Sequence, residues 1–238
     1  MSTGAVVAPA RRAGTPHDRA VFNAAADLLD FVLPRHCVGC RTPGVALCPR
    51  CAVPDVRSVD VSGLAVIAAA AYDGAVRTAL LAYKERGRRD LARPLRALLT
   101  AALAAHECGP RTILVPVPSS KSARRARGGD HVARLLPRAR RSQRALHLSR
   151  GVRDSAGLDI AERAANLAGA LQASAPPWPG APVVVVDDIV TTGSTFVEAA
   201  RALHEVGWDV RGGAVVAATQ RRFPATPGTS PRAGLPWQ

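Results

Sequence analysis

The thirteen residues 183–195 read VVVVDDIVTTGST, and their pattern decides how the chain folds. A continuous run of valines is typical of a parallel strand that is buried on both faces. Two adjacent carboxylates, Asp187 and Asp188, end this run, and a hydroxyl-rich turn containing Gly193 follows. A helix from about 195 to 206 is predicted next. Because ligands of open α/β sheets bind beyond the carboxyl ends of the strands, the segment predicts a binding site as well as a strand.

The chemical groups of this segment suit a sugar phosphate. Backbone N–H groups that open a helix form an anion site, and a glycine lets the backbone approach a phosphate closely. Asp187 and Asp188 accept hydrogen bonds, so they suit sugar hydroxyls and can help to hold a hydrated Mg²⁺. A ligand with a phosphate beside a diol is a ribose 5-phosphate. The alternative interpretation of the segment is an ordinary helix cap beside a solvated acid pair, with no ligand. The predicted phosphate-binding residues are Thr191, Thr192, Gly193, Ser194 and Thr195.

A second segment, VPVPSSKSARRARG at 115–128, places hydroxyls and cations after another apolar strand. Pro116 and Pro118 mark the end of that strand, because proline is disfavoured in a strand interior. A pyrophosphate requires such cations and hydroxyls near a tight turn, whereas an Arg-rich loop by itself is often only a solvated surface. The predicted pyrophosphate-binding residues are Ser119, Ser120, Lys121, Arg125 and Arg127.

Four of the five cysteines lie in the segment CVGCRTPGVALCPRC, with the spacing C-x2-C-x7-C-x2-C. Each C-x-x-C turn directs two sulfurs toward one point, and two such turns complete the tetrahedral thiolate shell of zinc. Disulfides, or an iron–sulfur or rubredoxin-like iron site, are the alternatives. A closed four-cysteine site has no open coordination position, so the predicted role is structural. Cys108 lies outside the set and is predicted to be an inert thiol. The predicted metal ligands are Cys37, Cys40, Cys48 and Cys51.

Composition and charge exclude several classes of protein. The length of 238 residues predicts one main domain plus a small extra unit. The hydrophobic fraction of 47% excludes a disordered chain. Neither a bilayer-spanning apolar run nor a signal peptide is found, so the prediction is a cytoplasmic protein without membrane insertion. The formal net charge is +14, and residues 111–154 hold 12 basic and 2 acidic residues. A field this positive attracts phosphates, of a nucleic acid or of a small molecule.

Hydrophobic periodicity along the chain predicts strands that alternate with helices, and hence a parallel α/β sheet. The predicted strands are 64–72, 111–117, 183–186 and 210–218. The predicted helices are 19–33, 74–84, 90–106, 130–141, 158–172 and 195–206, with a loop at 119–129 and a linker at 174–181. The predicted organisation is a disordered tail at 1–17, a helix and zinc module at 18–62, a main domain at 63–220 and a disordered tail at 221–238.

Other polar and aromatic residues carry weaker predictions. His131 is a candidate general base, although a lone histidine is more often not catalytic. Trp178 and Trp208 are predicted to be packing residues. A basic turn between two predicted helices is expected to be exposed to solvent. That turn contains Lys84, Arg86, Arg88 and Arg89.

Residues 183–195 match, at every position, the signature of type I phosphoribosyltransferases: four apolar residues, two acids, two apolar residues, then T-T-G-x-T. From about 28 to 220 the chain resembles the ComF family, also described as ComF/GntX-like. The motifs that carry the resemblance are LPRHCVGC…LCPRC, Tyr72, K-x-R-G from Lys84 to Gly87, VPVPSSKSARRARG and GLDIAERAAN at 157–166.

This resemblance implies a type I phosphoribosyltransferase-like parallel sheet flanked by helices at 63–220, preceded by a small zinc ribbon. It implies that Asp187 and Asp188 bind the ribose 2- and 3-hydroxyls of phosphoribosyl pyrophosphate (PRPP) and are the best candidates for catalytic residues. The loop at 191–195 would bind the 5-phosphate and the basic loop the pyrophosphate, with Mg²⁺ accompanying PRPP.

Two segments depart from the family pattern. The family continues the basic loop as R-G-F-N-Q, whereas residues 127–131 of this chain read RGGDH. Asp130 and His131 are predicted to hydrogen-bond in place of the asparagine and glutamine. Ser155 stands where the family often has glutamine.

Two hypotheses from different classes follow. In the first, the chain is a phosphoribosyltransferase, a pentosyl-transfer enzyme whose base-selecting hood is formed by the zinc module and residues 52–63. In the second, it is a non-catalytic competence factor in DNA uptake or natural transformation, which binds single-stranded DNA or the DNA-uptake helicase machinery, alone or as an oligomer. Single-strand binders stack bases on aromatic side chains, and the stretch 111–154 has none, which favours a phosphate site or a protein partner.

Overall fold

The computed structural model describes residues 35–106, 109–126, 128–149 and 169–219. Within them, strands and helices alternate along the chain. The strands are β1 (Arg57–Val61), β2 (Leu64–Ala71), β3 (Ile113–Pro116), β4 (Leu146–Leu148), β5 (Leu171–Ala173), β6 (Pro182–Val190) and β7 (Asp209–Ala218). The helices are α1 (Gly74–Glu85), α2 (Ala92–Ala105), α3 (Lys121–Ala126), α4 (His131–Leu135) and α5 (Ser194–Glu205), with a 3₁₀ turn at Arg89–Leu91.

Five strands form one mixed sheet in the order β1-β2-β7-β6-β3. The strands β2, β7, β6 and β3 run parallel, and β1 is antiparallel to β2. The strands β4 and β5 form a separate antiparallel pair. The predicted α/β class, with a mostly parallel sheet flanked by helices, is therefore confirmed.

The valines of β6 explain why helices cover both faces of the sheet. Successive residues of a strand point to opposite faces. Val184 and Val186 pack in one apolar cluster with α1 and α2, whereas Val183 and Val185 pack in another with α5. All four valines are 0% exposed, and burying one such side chain contributes about 1.5 kcal/mol.

The cysteine segment packs against the face of the sheet that α1 covers. Cys37, Leu47 and Cys48 share an apolar cluster with Val76 and Leu80 of α1. These contacts join the segment to the main core. The predicted domain boundary after residue 62 falls in the turn of the β1–β2 hairpin, and the division into domains stays a prediction.

The small β4–β5 sheet is tied to α5 by a buried carboxylate. Glu198 is 6% exposed and accepts a hydrogen bond from the Leu171 N–H at 3.0 Å. Arg201 donates to Glu198 at 2.7 Å and to the Leu171 carbonyl at 2.9 Å. Burial by itself raises the pKa of Glu198, but the hydrogen bonds from Arg201 and the backbone outweigh it and lower the pKa. The carboxylate is thus paired and its cost of burial is offset.

Most of the longer predicted elements are confirmed. The strands β2, β3 and β7 and the helices α1, α2 and α5 lie at their predicted positions within a few residues. The predicted strand at 183–186 is too short, because pairing with β7 continues to Val190. Asp187 and Asp188 therefore lie inside β6 rather than after it.

Three predictions in the middle of the chain are wrong, wholly or in part. The helix α3 interrupts the predicted loop at 119–129. The predicted helix at 130–141 is only the short α4, because Pro137 disfavours helical backbone at Leu136, which is extended. The predicted helix at 158–172 lies mostly outside the described residues, and its last two residues belong to strand β5.

The strand β1 is not foreseen by the sequence analysis. Its residues, 57–61, form the edge of the sheet beside β2, so this part of the predicted hood at 52–63 belongs to the sheet. The predicted helix at 19–33, Cys108 and both predicted tails lie outside the described residues. Of the helices that the structure describes, none combines the length and apolarity needed to cross a membrane.

Candidate functional site

The two predicted binding segments meet at the carboxyl-terminal edge of the sheet. The strands β3 and β6 are parallel neighbours, and Pro116 pairs with Val186. The Val117 N–H then donates to the Val186 carbonyl at 2.9 Å, which extends the pairing by one residue. The loop that follows β3 therefore begins beside the acid pair of β6.

Asp188 is held by two basic side chains from different helices. Its side chain is 3% exposed, and its Oδ2 lies 2.8 Å from Lys84 Nζ and 2.9 Å from His131 Nε2. Lys84 occupies the last turn of α1, and His131 begins α4. Burial by itself raises the pKa of Asp188, but Lys84 and His131 outweigh it and hold the pKa well below its usual range. Asp188 is therefore a fixed, paired anion.

Asp187 has a different environment. It is half-buried, and its Oδ1 accepts a hydrogen bond from the Asp188 N–H at 2.8 Å. Burial and the neighbouring charge of Asp188 raise the pKa of Asp187 well above its usual range, and Lys84 offsets only part of that rise. Environments that move two carboxyl pKa values apart give the two groups different roles.

An ion-pair contact and a hydrogen bond, both made by His131, connect Asp188 to the basic loop. The Nε2 of His131 faces Asp188, and its Nδ1 lies 3.1 Å from Ser119 Oγ. The Tyr83 hydroxyl donates to the His131 carbonyl at 2.9 Å and fixes the backbone at the start of α4. We name these linked side chains the Asp188 network. The Asp188 network consists of Ser119, His131, Asp188 and Lys84.

Asp130 and His131, two of the residues that depart from the family pattern, are both buried at this place. Asp130 is 9% exposed and caps α4 by accepting a hydrogen bond from the Ala133 N–H at 3.2 Å. His131 is 8% exposed and bridges Ser119 and Asp188. Both positions therefore make hydrogen bonds, and the partners are protein groups.

The order Ser119–His131–Asp188 is that of a nucleophile-activating triad. In such a triad the carboxylate charge stabilises the imidazolium that forms when histidine takes the serine proton. Here Lys84 contacts the same Asp188 oxygen as His131 and neutralises part of that charge. The Asp188 network therefore favours a fixed geometry over activation of Ser119.

The turn between β6 and α5 has features of an anion site. Gly193 has a φ of 88°, in the left-handed region, and caps α5 without a side-chain hydrogen bond. A Cβ at Gly193 would overlap Val61 of β1, so both the backbone and the packing require glycine. The Thr192 and Ser194 hydroxyls lie 3.0 Å apart. A helix N-terminus whose cap residue supplies no acceptor suits an anion. Of the other predicted residues, Thr191 is exposed and Thr195 half-buried.

The predicted pyrophosphate residues do not all converge. Ser119 belongs to the Asp188 network, whereas the Ser120 hydroxyl accepts a backbone hydrogen bond at 3.1 Å and caps α3. Arg125 is exposed on α3. The side chain of Lys121 and the whole of Arg127 lie outside the described residues. The structure thus brings Ser119, and not the full predicted set, to the acid pair.

The four cysteines converge on one point. Their Sγ atoms all lie within 4.8 Å of one another, and all four are free thiols. The Cys48 N–H donates to Cys37 Sγ at 3.3 Å, and the Cys40 and Cys48 sulfurs are 3.5 Å apart. Zinc with Zn–S bonds of about 2.3 Å separates its sulfurs by about 3.8 Å in a tetrahedron. The cluster is therefore positioned to bind a metal ion and is compatible with structural zinc.

Local features shape the cysteine cluster. A Cβ at Gly39 would lie 2.6 Å from Ala75 Cβ and 2.8 Å from Cys51 Sγ, so the first knuckle requires glycine. The Thr42 hydroxyl lowers the pKa of Cys40 to about 6, whereas burial raises the pKa of Cys51 to about 12. The thiols therefore do not ionise together unaided, and a bound cation supplies the charge that keeps four thiolates together.

Lys84 is the main site residue that the sequence analysis missed. The basic turn to which it was assigned is exposed at Arg86, but Lys84 itself is directed to Asp188. A signal is present in the sequence, because Val76, Leu80 and Lys84 follow one another at intervals of four and share a helix face. Val76 and Leu80 are buried, so that face is the inner one.

The tertiary structure also brings an aromatic side chain to the basic stretch. The Trp178 ring centroid lies 5.5 Å from Arg111 Cζ and 6.0 Å from Arg141 Cζ. Both arginines are exposed, and Trp178 is half-buried against the apolar cluster under α5. Trp208 is 3% exposed and is a packing residue, as predicted.

The fold and its two clusters define an α/β protein with a mostly parallel five-stranded sheet, an acid pair near its carboxyl-terminal edge and a four-cysteine cluster positioned to bind a metal ion. No family model matches the chain, and no curated protein matches it. The function is therefore argued from the chemistry of the site.

Proposed function

We propose that this chain is a phosphoribosyltransferase-family protein of the ComF type, which binds PRPP or ribose 5-phosphate and acts in DNA uptake or natural transformation in the cytoplasm. The observation that carries the proposal is that three features meet at one edge of the sheet. They are the acid pair of β6, the glycine-capped N-terminus of α5 and the hydroxyl- and arginine-bearing loop after β3. The diol, the 5-phosphate and the pyrophosphate of PRPP have complementary chemistry.

Each part of that ligand finds residues of suitable chemistry. Sugar hydroxyls would donate to the acid pair, and the 5-phosphate would accept from backbone N–H groups at the start of α5. The exposed arginines of α3 would attract the pyrophosphate. Asp187 is a half-buried oxygen donor of the kind that Mg²⁺ prefers, and Mg²⁺ bound with PRPP would neutralise pyrophosphate charge.

In a transfer reaction, the bond between C1 of the ribose and the pyrophosphate would break through an oxocarbenium-like state. Fixed cations near the basic loop would stabilise the departing pyrophosphate, and that interaction strengthens as negative charge develops. The acceptor would approach C1 from the opposite side of the sugar. The cysteine segment as part of a base-selecting hood stays a prediction.

Calorimetric titration of PRPP with Mg²⁺ tests the proposal. We expect the wild type to bind and the Asp187→Asn/Asp188→Asn variant to bind about 100-fold more weakly, because the site loses the contributions of two charged carboxylates, at about 1.5 kcal/mol each. The matched control is Asp209→Asn, which changes a carboxylate at the start of β7 that pairs with Arg211. Absence of PRPP binding by folded, zinc-loaded wild type would contradict the proposal, as would equal binding by the double variant.

A second candidate function is single-stranded nucleic-acid binding without catalysis, and it rests on a different observation. The stretch 111–154 has no aromatic residue, but the Trp178 ring lies near both Arg111 and Arg141 in the folded chain. Bases stack on aromatic rings and on arginine planes, and arginines also neutralise phosphates. This surface therefore has the two groups that single-strand binders use.

Anisotropy titrations of a labelled oligothymidylate at several salt concentrations test the second candidate. We expect Arg111→Ala/Arg141→Ala to reduce the log–log salt slope by about 1.4, at about 0.7 per lost phosphate contact. Trp178→Ala is expected to weaken binding about tenfold through lost stacking. Arg77→Ala is the control, because Arg77 lies 5.9 Å from the Tyr72 ring in an equivalent pair elsewhere. Undetectable or salt-insensitive binding would exclude this function.

A further inference from the structure

The two carboxylates of the acid pair are not equivalent in the fold. They are consecutive residues of one strand, so their side chains leave it on opposite faces. Asp188 shares its face with Val184 and Val186, under the helices α1, α2 and α4, and it is 2% exposed. Asp187 is half-buried. A ligand at the sheet edge therefore has easier access to Asp187.

The partners of Asp188 already satisfy its charge. One oxygen contacts both Lys84 Nζ at 2.8 Å and His131 Nε2 at 2.9 Å. Removing one partner of a buried ion pair is strongly destabilising, and a neutral sugar hydroxyl brings no charge to replace the lost one. A sugar hydroxyl that displaced either partner would exchange a strong contact for a weaker one and leave a partly buried cation unpaired. Asp188 is thus better suited to hold Lys84 and His131 than to bind a ligand.

The hydrogen-bond roles within the Asp188 network follow from the same geometry. A carboxylate only accepts, so the 2.9 Å contact with Asp188 Oδ2 favours the form of His131 that has a proton on Nε2. When the imidazole is neutral, its Nδ1 is an acceptor, and the Ser119 hydroxyl donates to it at 3.1 Å. Ser119 then offers only its oxygen lone pairs to a ligand. It suits a ligand hydroxyl or a metal-bound water better than a phosphate oxygen.

We propose that Asp187 alone contacts the sugar diol, and that Asp188 is a positioning residue which Lys84 anchors and which holds Ser119 and the basic loop in place through His131. This inference rests on the proposed function, and it divides a task that the family resemblance assigns to both carboxylates. Lys84 and His131 become positioning residues as well. The rigid link between loop and acid pair sets the distance between the sugar half and the pyrophosphate half of the site.

Two probes that each occupy half of the site test this division of roles. Ribose 5-phosphate reports on the sugar half, and inorganic pyrophosphate with Mg²⁺ reports on the basic loop; both are titrated calorimetrically into the full chain. We expect Asp187→Asn to weaken the binding of ribose 5-phosphate at least tenfold. The affinity for pyrophosphate is expected to stay within about twofold of the wild-type value, and the Tm is expected to stay unchanged. We expect Asp188→Asn to lower the Tm and to weaken both probes by a similar factor.

Variants of Lys84 separate positioning from a purely structural role. Lys84→Met is expected to weaken the binding of both probes in the same ratio as Asp188→Asn. Lys84→Arg is expected to restore both affinities to within about threefold of the wild-type values. Because a single neutralisation leaves a buried charge unpaired and destabilises the fold, Asp188→Asn/Lys84→Met removes both charges together. That double variant is expected to recover the Tm of the wild type, whereas the binding of both probes is expected to stay weak.

Each contrary result is distinct. The inference is overturned if Asp188→Asn loses ribose 5-phosphate alone with an unchanged Tm, since Asp188 would then be a direct ligand. It is also overturned if Asp187→Asn binds ribose 5-phosphate like the wild type, or if the Lys84 variants affect the Tm but neither probe. Failure of the wild type to bind either probe overturns the proposed function itself, and this inference with it.

Discussion

Replacing Cys48 with serine is expected to abolish metal binding by the cysteine cluster and to lower the Tm by about 10 °C. Structural zinc contributes folding free energy directly, and losing about 3 kcal/mol of it shifts the Tm of a chain of this size by that amount. Cys48 is 5% exposed and packs with Cys37, Val76 and Leu80. Loss of the metal therefore loosens contacts with α1 as well as the cysteine segment.

Metal content by mass spectrometry and thermal unfolding by circular dichroism measure this effect. We expect one zinc per chain in the wild type and none in the Cys48→Ser variant. Cys108→Ser is the matched control, because it removes the thiol outside the cluster, and it is expected to keep both the zinc and the Tm. A Cys48→Ser variant that retains zinc, or that unfolds at the wild-type temperature, would show that the cluster is not a structural metal site.

Gly193→Ala is expected to destabilise the fold by about 3 kcal/mol, which combines a left-handed backbone penalty of about 1–2 kcal/mol with an overpacking term of similar size. Gly193 has a φ of 88°, and a Cβ there would overlap Val61, which is 1% exposed. Relief of the overlap moves the start of α5, so ribose 5-phosphate binding is expected to weaken with the stability. Urea unfolding and calorimetric titration measure the two effects.

Two further variants separate the backbone penalty from the overlap. Gly207 also has a positive φ, of 91°, but an added Cβ there would meet no atom within 4 Å. Gly207→Ala is therefore expected to cost only the backbone part. Gly193→Ala/Val61→Ala is expected to cost less than the sum of its single changes, because the shortened side chain makes room. Strict additivity in the double variant would mean that the contact with Val61 is unimportant.

Those parts of the fold that have a strong local period were predictable from sequence. The valine run of β6 predicts a strand buried on both faces, and the interval of four between Val76 and Leu80 predicts α1. The paired C-x-x-C turns predict four converging sulfurs, because each turn is closed by residues two or three positions apart. In each case the residues that decide the structure are close together along the chain.

Short elements and strand ends were harder to predict. The strands β1, β4 and β5 are only three to five residues long and exist because a partner strand is adjacent. The end of β6 is likewise set by its pairing with β7 as far as Val190, not by its own residues. Two adjacent carboxylates in a sequence usually indicate the end of a strand. Only the neighbouring strand shows that the hydrogen-bonded pairing continues past them.

The sequence by itself determined the α/β class, the presence of an acid pair near the carboxyl end of a buried strand and the convergence of the four cysteines. Only the tertiary structure decided that Lys84 and His131 hold Asp188, and that Trp178 lies near two arginines of a stretch that has no aromatic residue. These contacts join residues far apart along the chain. Periodicity and spacing describe neighbours in sequence, whereas the partner of a buried charge depends on how the helices and loops pack around the sheet.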